Sequence, residues 1–146
     1  MSTCRELMTE EVVCCEPQDT VRDAARLMKE HKVGSVPVCR SADSRKLLGI
    51  VTDRDLVLDV IALDRDPRGT AIADVMTTDL VTCLPEDNAR EAMEKMARYQ
   101  VRRIPVVDPQ GSLLGMVAQA DVALGADGKK AGELVQKISR HTGADR

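Results

Sequence analysis

The sequence predicts an α+β fold made of two β-α-β-β-α repeats, related as a pseudo-twofold pair and followed by a short C-terminal helix. Three observations carry that reading. Shifting the chain by 68 residues lays Met8-Thr9 on Met76-Thr77, Pro17 on Pro85, Met28 on Met96 and Pro37-Val38 on Pro105-Val106, with 12 of 32 positions identical between residues 7–38 and 75–106. Further on the offset falls to 66, so that Leu47-Leu48-Gly49 meets Leu113-Leu114-Gly115 and Asp55 meets Asp121. Within each copy the hydrophobic period alternates between strand-like and helical.

Each repeat opens on a short β-type run, Val12 to Cys15 and Leu80 to Cys83, closed by a proline. Helix-start signals follow: Thr20 with Asp23, and Asn88 with Glu91, have the spacing of an N-cap residue and its N3 partner. Val21, Ala24, Ala25 and Met28, and then Ala89, Ala92, Met93 and Met96, recur at helical spacing and predict one buried face per helix. Two strands joined by a polar turn come next, Val36 to Cys39 with Leu47 to Val51, and Ile104 to Val107 with Leu113 to Val117. Closing helices are predicted from near Asp53 and near Gln119. Leu58 to Ala73 reads as the tail of the first closing helix and then an exposed connector. One repeat alone buries little apolar surface, so the two are expected to share one core. The resulting division is 6–64 for the first repeat, 65–73 for a linker, 74–124 for the second repeat and 125–146 for a tail, in which residues 131–139 form an amphipathic helix.

Composition narrows the functional classes. Of 146 residues, 43% are hydrophobic and 31% charged, with a formal net charge of −3, no Trp, no Phe and one Tyr. A folded domain is expected, but one without the aromatic platforms or basic surplus that bind nucleic-acid polymers. No apolar run is long enough to span a membrane, and Arg5 and Glu6 interrupt the start of the chain, so a cytoplasmic protein is expected. Five cysteines without a C-x-x-C spacing read as reduced, mostly buried thiols, with Cys14 and Cys15 pointing to opposite faces. No spacing supports a metal site from Cys14, Cys83 and His31, and His31 is placed at the C-terminal end of the first helix. No nucleophile motif, P-loop or G-x-G-x-x-G is present, so no catalytic residue is assigned.

One segment has chemistry suited to a ligand. In Thr52-Asp53-Arg54-Asp55 a carboxylate at a helix start can accept two hydrogen bonds from a ribose diol, Thr52 adds a hydroxyl, Arg54 reaches a phosphate, and free helix amides complete the grip. The same spacing also describes a plain capping box that needs no ligand, and spacing alone leaves both readings open. In the second copy Asp121 remains, while Ala118 and Ala120 replace Thr52 and Arg54.

The repeated pattern resembles the cystathionine-β-synthase (CBS) domain family, with two tandem motifs forming one Bateman module. The residues that carry the resemblance are Leu7-Met8-Thr9 and Val75-Met76-Thr77, Val33 to Val38 and Val101 to Val106, and Gly49 to Asp55 and Gly115 to Asp121. The resemblance implies a regulatory, non-catalytic protein that binds AMP, ADP, ATP or S-adenosylmethionine without an obligatory cofactor or metal. It further implies pairing into a homodimer and an effector protein that reads the ligand state. It places ligands in two clefts. Cleft A, the favoured one, takes Thr52, Arg54, Asp55, Thr77, Val81, Val101 and Arg102; cleft B takes Thr9, Val13, Gly34, Ser35, Arg102, Arg103 and Asp121. The alternatives are a ligand-free interaction module working through its dimer surface and, third, a thiol-based metal or redox sensor.

Overall fold

A computed structural model describes residues 2–125, so the predicted helix at 131–139 lies outside the described residues. Backbone proximity divides the chain into two compact units. The first spans residues 13–80; the second joins residues 2–12 to residues 81–125.

In the first unit, helix α2 (Val21–His31), which follows a short helix α1 (Cys4–Leu7) of the other unit, starts on a reciprocal cap. The Asp23 amide donates to Thr20 Oγ1 at 3.2 Å and the Thr20 amide to Asp23 Oδ2 at 3.1 Å, which satisfies two donors that a helix start leaves over. The helix ends at Lys32, whose φ of 55° is left-handed, with the exposed His31 as its last residue. Strands β1 (Ser35–Cys39) and β2 (Leu47–Thr52) then form an antiparallel pair in which Val36 faces Val51, and α3 (Asp53–Leu56) runs into a π-helical turn over Val57–Ile61.

The second unit repeats this plan with α4 (Ala89–Tyr99), β3 (Arg103–Val107), β4 (Leu113–Ala118) and α5 (Gln119–Gly125). Asn88 caps α4, accepting from the Glu91 amide at 2.9 Å, and Gln100 ends it with φ 55°. Both hairpins carry an irregularity at the same place, between Val38 and Cys39 and between Val106 and Val107.

Several expectations change. The opening β-type runs form single parallel bridges, Cys15 with Val38 and Cys83 with Val106, because a proline follows two residues later and ends the pairing. Ala25 is exposed; Val21, Ala24 and Met28 suffice to cover the sheet in that copy. The stretch assigned to an exposed connector is not exposed throughout, because Thr70 and Ile72 are buried. Val21 N donates to Thr70 O at 2.9 Å, Ile72 N to Asp19 O at 2.8 Å, and Ile72 is fully buried. Finally, the apolar side chains sort into two clusters, one in each unit. Val21, Val36, Val51, Val60 and Ile72 anchor the first, and Met93, Met96, Ile104 and Val117 the second. Each unit completes its own cluster by borrowing the segment that leads into the other repeat: Ile72 and Val75 serve the first, Cys4, Leu7 and Met8 the second.

Candidate ligand-binding site

The lead segments also complete the two sheets. Thr77 pairs with Ile50 through two backbone hydrogen bonds, and Thr9 pairs with Met116 in the same way. Glycines make the approach possible. A Cβ on Gly49 would stand 2.8 Å from Thr77 O and 2.9 Å from Met76 Sδ, and one on Gly115 would stand 2.6 Å from Thr9 O. These contacts explain why both copies of the sequence carry Met-Thr in one motif and Gly in another.

Pairing with Ile50 sets Thr77 on the strand that ends at Thr52, so the first unit gathers four members of cleft A: Thr52, Arg54, Asp55 and Thr77. Its other members, Val81, Val101 and Arg102, belong to the second unit, where both valines pack against the core. The second unit gathers four members of cleft B: Thr9, Arg102, Arg103 and Asp121. Arg103 pairs with Ala118 across β3 and β4, and Arg102 O accepts from Gln119 N at 2.8 Å. Arg102 is half-buried with its Nε shielded from solvent, whereas Arg103 is exposed. Val13, Gly34 and Ser35 lie in the first unit, where Ser35 pairs with Thr52 and Gly34 O accepts from Asp53 N at 2.9 Å.

At the start of α3 the capping box is present. Asp55 N donates to Thr52 Oγ1 at 3.1 Å and Thr52 N to Asp55 Oδ2 at 2.9 Å. Arg54 N donates to Asp53 Oδ1 at 2.8 Å, so the amides of Asp53, Arg54 and Asp55 are all engaged within the protein. This corrects the expectation of free helix amides for a phosphate. What the segment offers a ligand is the second oxygen of Asp55, the exposed Arg54 guanidinium and the exposed Thr77 hydroxyl. At α5 the matching cap position is Ala118, which has no side-chain oxygen, and the Asp121 carboxylate accepts no hydrogen bond among the described residues.

Sequence reasoning named Asp53 within the Thr52–Asp55 segment but gave it no role of its own. Its Oδ2 lies 3.1 Å from where a Cβ of Gly34 would stand, so the glycine leaves room for this carboxylate beside the capping box. The only signal was the glycine itself, which is an arginine in the second copy.

Among the described residues no group of three or more His, Cys, Asp or Glu side chains converges as metal ligands, and no helix is long and apolar enough to cross a membrane.

Paired hairpins, each completed by the other repeat's lead segment, define a duplicated α+β module. Comparison with known proteins agrees: the CBS domain family model matches residues 4–61 and 72–125, and the chain belongs to that family. It is 39% identical over 140 residues to the CBS domain-containing protein YhcV of Bacillus subtilis, covering 95% of this chain and 96% of the relative. Among solved structures it is similar to hypoxic response protein I with two coordinated zinc ions, with TM-score 0.77, 30% identity and coverage of 86% of this chain and all of that one. It is also similar to CBSX2 in complex with AMP, with TM-score 0.73, 27% identity and coverage of 86% and 96%.

Proposed function

We propose that the chain is a regulatory module, not an enzyme, that binds an adenosine ligand of the AMP, ADP, ATP or S-adenosylmethionine type and transmits occupancy to an effector protein. The observation that supports this reading is the backbone bridge between Thr77 and Ile50, two residues before the Thr52–Asp55 turn, which joins the segment bearing the Thr77 hydroxyl to the strand that leads into the turn bearing Asp55 and Arg54. A carboxylate and a hydroxyl suit a ribose diol, and Arg54 suits a phosphate. The AMP bound by CBSX2 supports that ligand class. In the second unit Asp121, Thr9 and Arg103 offer a weaker counterpart, without a capping hydroxyl. Aromatic stacking is not on offer, so an adenine would lie among aliphatic side chains, and affinity would rest on the ribose and phosphate contacts.

Thermal unfolding against AMP, ADP, ATP and S-adenosylmethionine tests the reading. Ligand at about 100 times its dissociation constant stabilises the fold by about 2.7 kcal/mol. Absence of a shift with every one of the four would overturn it.

A second reading, an interaction module acting as a cytoplasmic homodimer, is favoured by one feature. Val57, Leu58, Ile61 and Leu63 are between 47% and 65% exposed on one stretch of the first unit, a concentration of apolar surface that association would cover.

A further inference from the structure

Two sulfur atoms of the first unit lie within hydrogen-bonding reach although their residues are far apart in sequence: Cys39 Sγ donates to Cys14 Sγ at 3.4 Å. Backbone pairing sets this approach. Cys15 N donates to Pro37 O at 3.0 Å and Cys39 N to Cys15 O at 2.9 Å, which ties residues 14 and 15 alongside β1. The second repeat has Thr82 and Val107 at the matching positions, so the pair exists in one copy only.

We propose that Cys14 and Cys39 are a peroxide-reactive thiol pair that closes to an intramolecular disulfide on two-electron oxidation. The sulfurs need to approach by about 1.4 Å to reach the ~2.05 Å of a disulfide. Cys14 is half-buried and open to a small oxidant, whereas Cys39 is 1% exposed and meets the outside through its neighbour. The Cys39 hydrogen bond and the Arg45 guanidinium favour the Cys14 thiolate, lowering its pKa to about 7. Cys14 sulfur attacks one oxygen of a hydroperoxide; the O–O bond breaks, and sulfenic acid and water (or an alcohol) result. Cys39 sulfur then attacks Cys14 Sγ, the S–O bond breaks, and the hydroxyl leaves with the Cys39 proton as water. The two thiols supply both electrons, and the hydroperoxide is the only co-reactant.

The remaining cysteines are poor competitors. Cys15 is 3% exposed, donates to Pro37 O at 3.6 Å and is pushed up to about 12 by burial. Cys4 and Cys83 hydrogen-bond each other, but both are sealed from solvent.

The test uses the full chain, reduced, freed of reductant, exposed to hydrogen peroxide, alkylated and digested with trypsin. The expected product is peptide 6–22 joined to peptide 33–40, two hydrogens lighter than the separate thiols, with Cys15, Cys4 and Cys83 alkylated. In Cys39→Ser the reaction is expected to stop at sulfenic acid on Cys14, trapped by a 1,3-diketone probe; in Cys14→Ser the peroxide-dependent loss of thiol slows at least about tenfold. Arg45→Gln leaves both sulfurs in place and is expected to slow oxidation several-fold near neutral pH, with the difference vanishing above about pH 9. Probe on Cys15, Cys4 or Cys83 ahead of Cys14, disulfides only between chains, or an Arg45→Gln rate equal to the parent's at neutral pH would each overturn the proposal.

Discussion

Thr77 and Ile50 are joined by a reciprocal pair of backbone hydrogen bonds, Thr77 N to Ile50 O at 2.8 Å and Ile50 N to Thr77 O at 2.9 Å. This pairing holds a residue from the start of the second sequence repeat on the sheet of the first, and the proposed ligand grip depends on it.

Gly49→Ala is therefore expected to be costly. The added methyl meets a backbone oxygen at 2.8 Å, which the strand can relieve only by moving, and a loss of about 1–3 kcal/mol follows. Gly34→Ala meets only the Asp53 carboxylate at 3.1 Å, a side chain that can turn, and should cost less. Urea unfolding of the two variants gives the order; equal losses would contradict it.

Asp55 has two roles that substitution separates. Asp55→Asn keeps an oxygen to accept from Thr52 N and removes the charge, whereas Asp55→Ala removes both. Asp55→Ala should lower stability without ligand by about 1 kcal/mol, and Asp55→Asn by less. Both should abolish most of any nucleotide-induced shift in Tm. A full shift in both variants would remove Asp55 from the site.

The missing cap on α5 can be restored. Ala118→Thr copies Thr52 and provides a hydroxyl for the Asp121 amide, with the Asp121 carboxylate free to return a bond to residue 118. A gain of about 0.5–1 kcal/mol is expected, read as a rise in Tm. An unchanged or lower Tm would show that the added methyl costs more than the cap returns.

Cysteine ionisation sets an alkaline limit to stability. Burial raises Cys15 from the usual 9.0 to about 12, and Cys39 and Cys83 are raised first by their hydrogen bonds to Cys14 and Cys4, then by burial. Below 9.0 folded and unfolded chains both hold these protons, and the stabilising contribution is complete. Above it the unfolded chain releases them while the folded chain retains them, so stability falls by about 1.4 kcal/mol per pH unit for each thiol. Cys14 acts in the opposite sense: lowered to about 7, it adds stability as pH rises from there toward 9.0. Urea midpoints followed from neutral to alkaline pH should show the decline above 9.0, and Cys15→Ala should make it shallower.

Ile61, 65% exposed, tests the interaction reading. Ile61→Glu removes no buried contact and should leave Tm within about 0.5 kcal/mol of the parent. If the apolar stretch mediates self-association, sedimentation will show a dimer in the parent and a monomer in the variant.

Much of this was legible in the sequence because it is written in local patterns. Thr20 and Asp23 announce their helix start by spacing, and Ala92, Met93 and Met96 announce a buried face by period. The Thr52–Asp55 box was also visible, but not that it uses the amides a phosphate would need: the Asp53 amide goes to Gly34, the residue just before β1. The crossing of the lead segments left only an indirect trace, the Met-Thr and Gly positions shared by both copies, since Thr77 and Ile50 join through backbone atoms and nothing in the side chains names the partner. The Cys14–Cys39 approach depends on the bridge at Cys15, a pairing too short to register as a strand.

The exchange of lead segments puts the period of the sequence and the boundaries of folding out of phase. A cut placed between the repeats, within residues 65–73, separates the first unit from Thr77 and the segment carrying Thr9 from its sheet, so it damages both halves. A cut after residue 80, well inside the second repeat, leaves residues 13–80 with all their internal pairings. Duplication copied one segment of chain; stability is inherited by another.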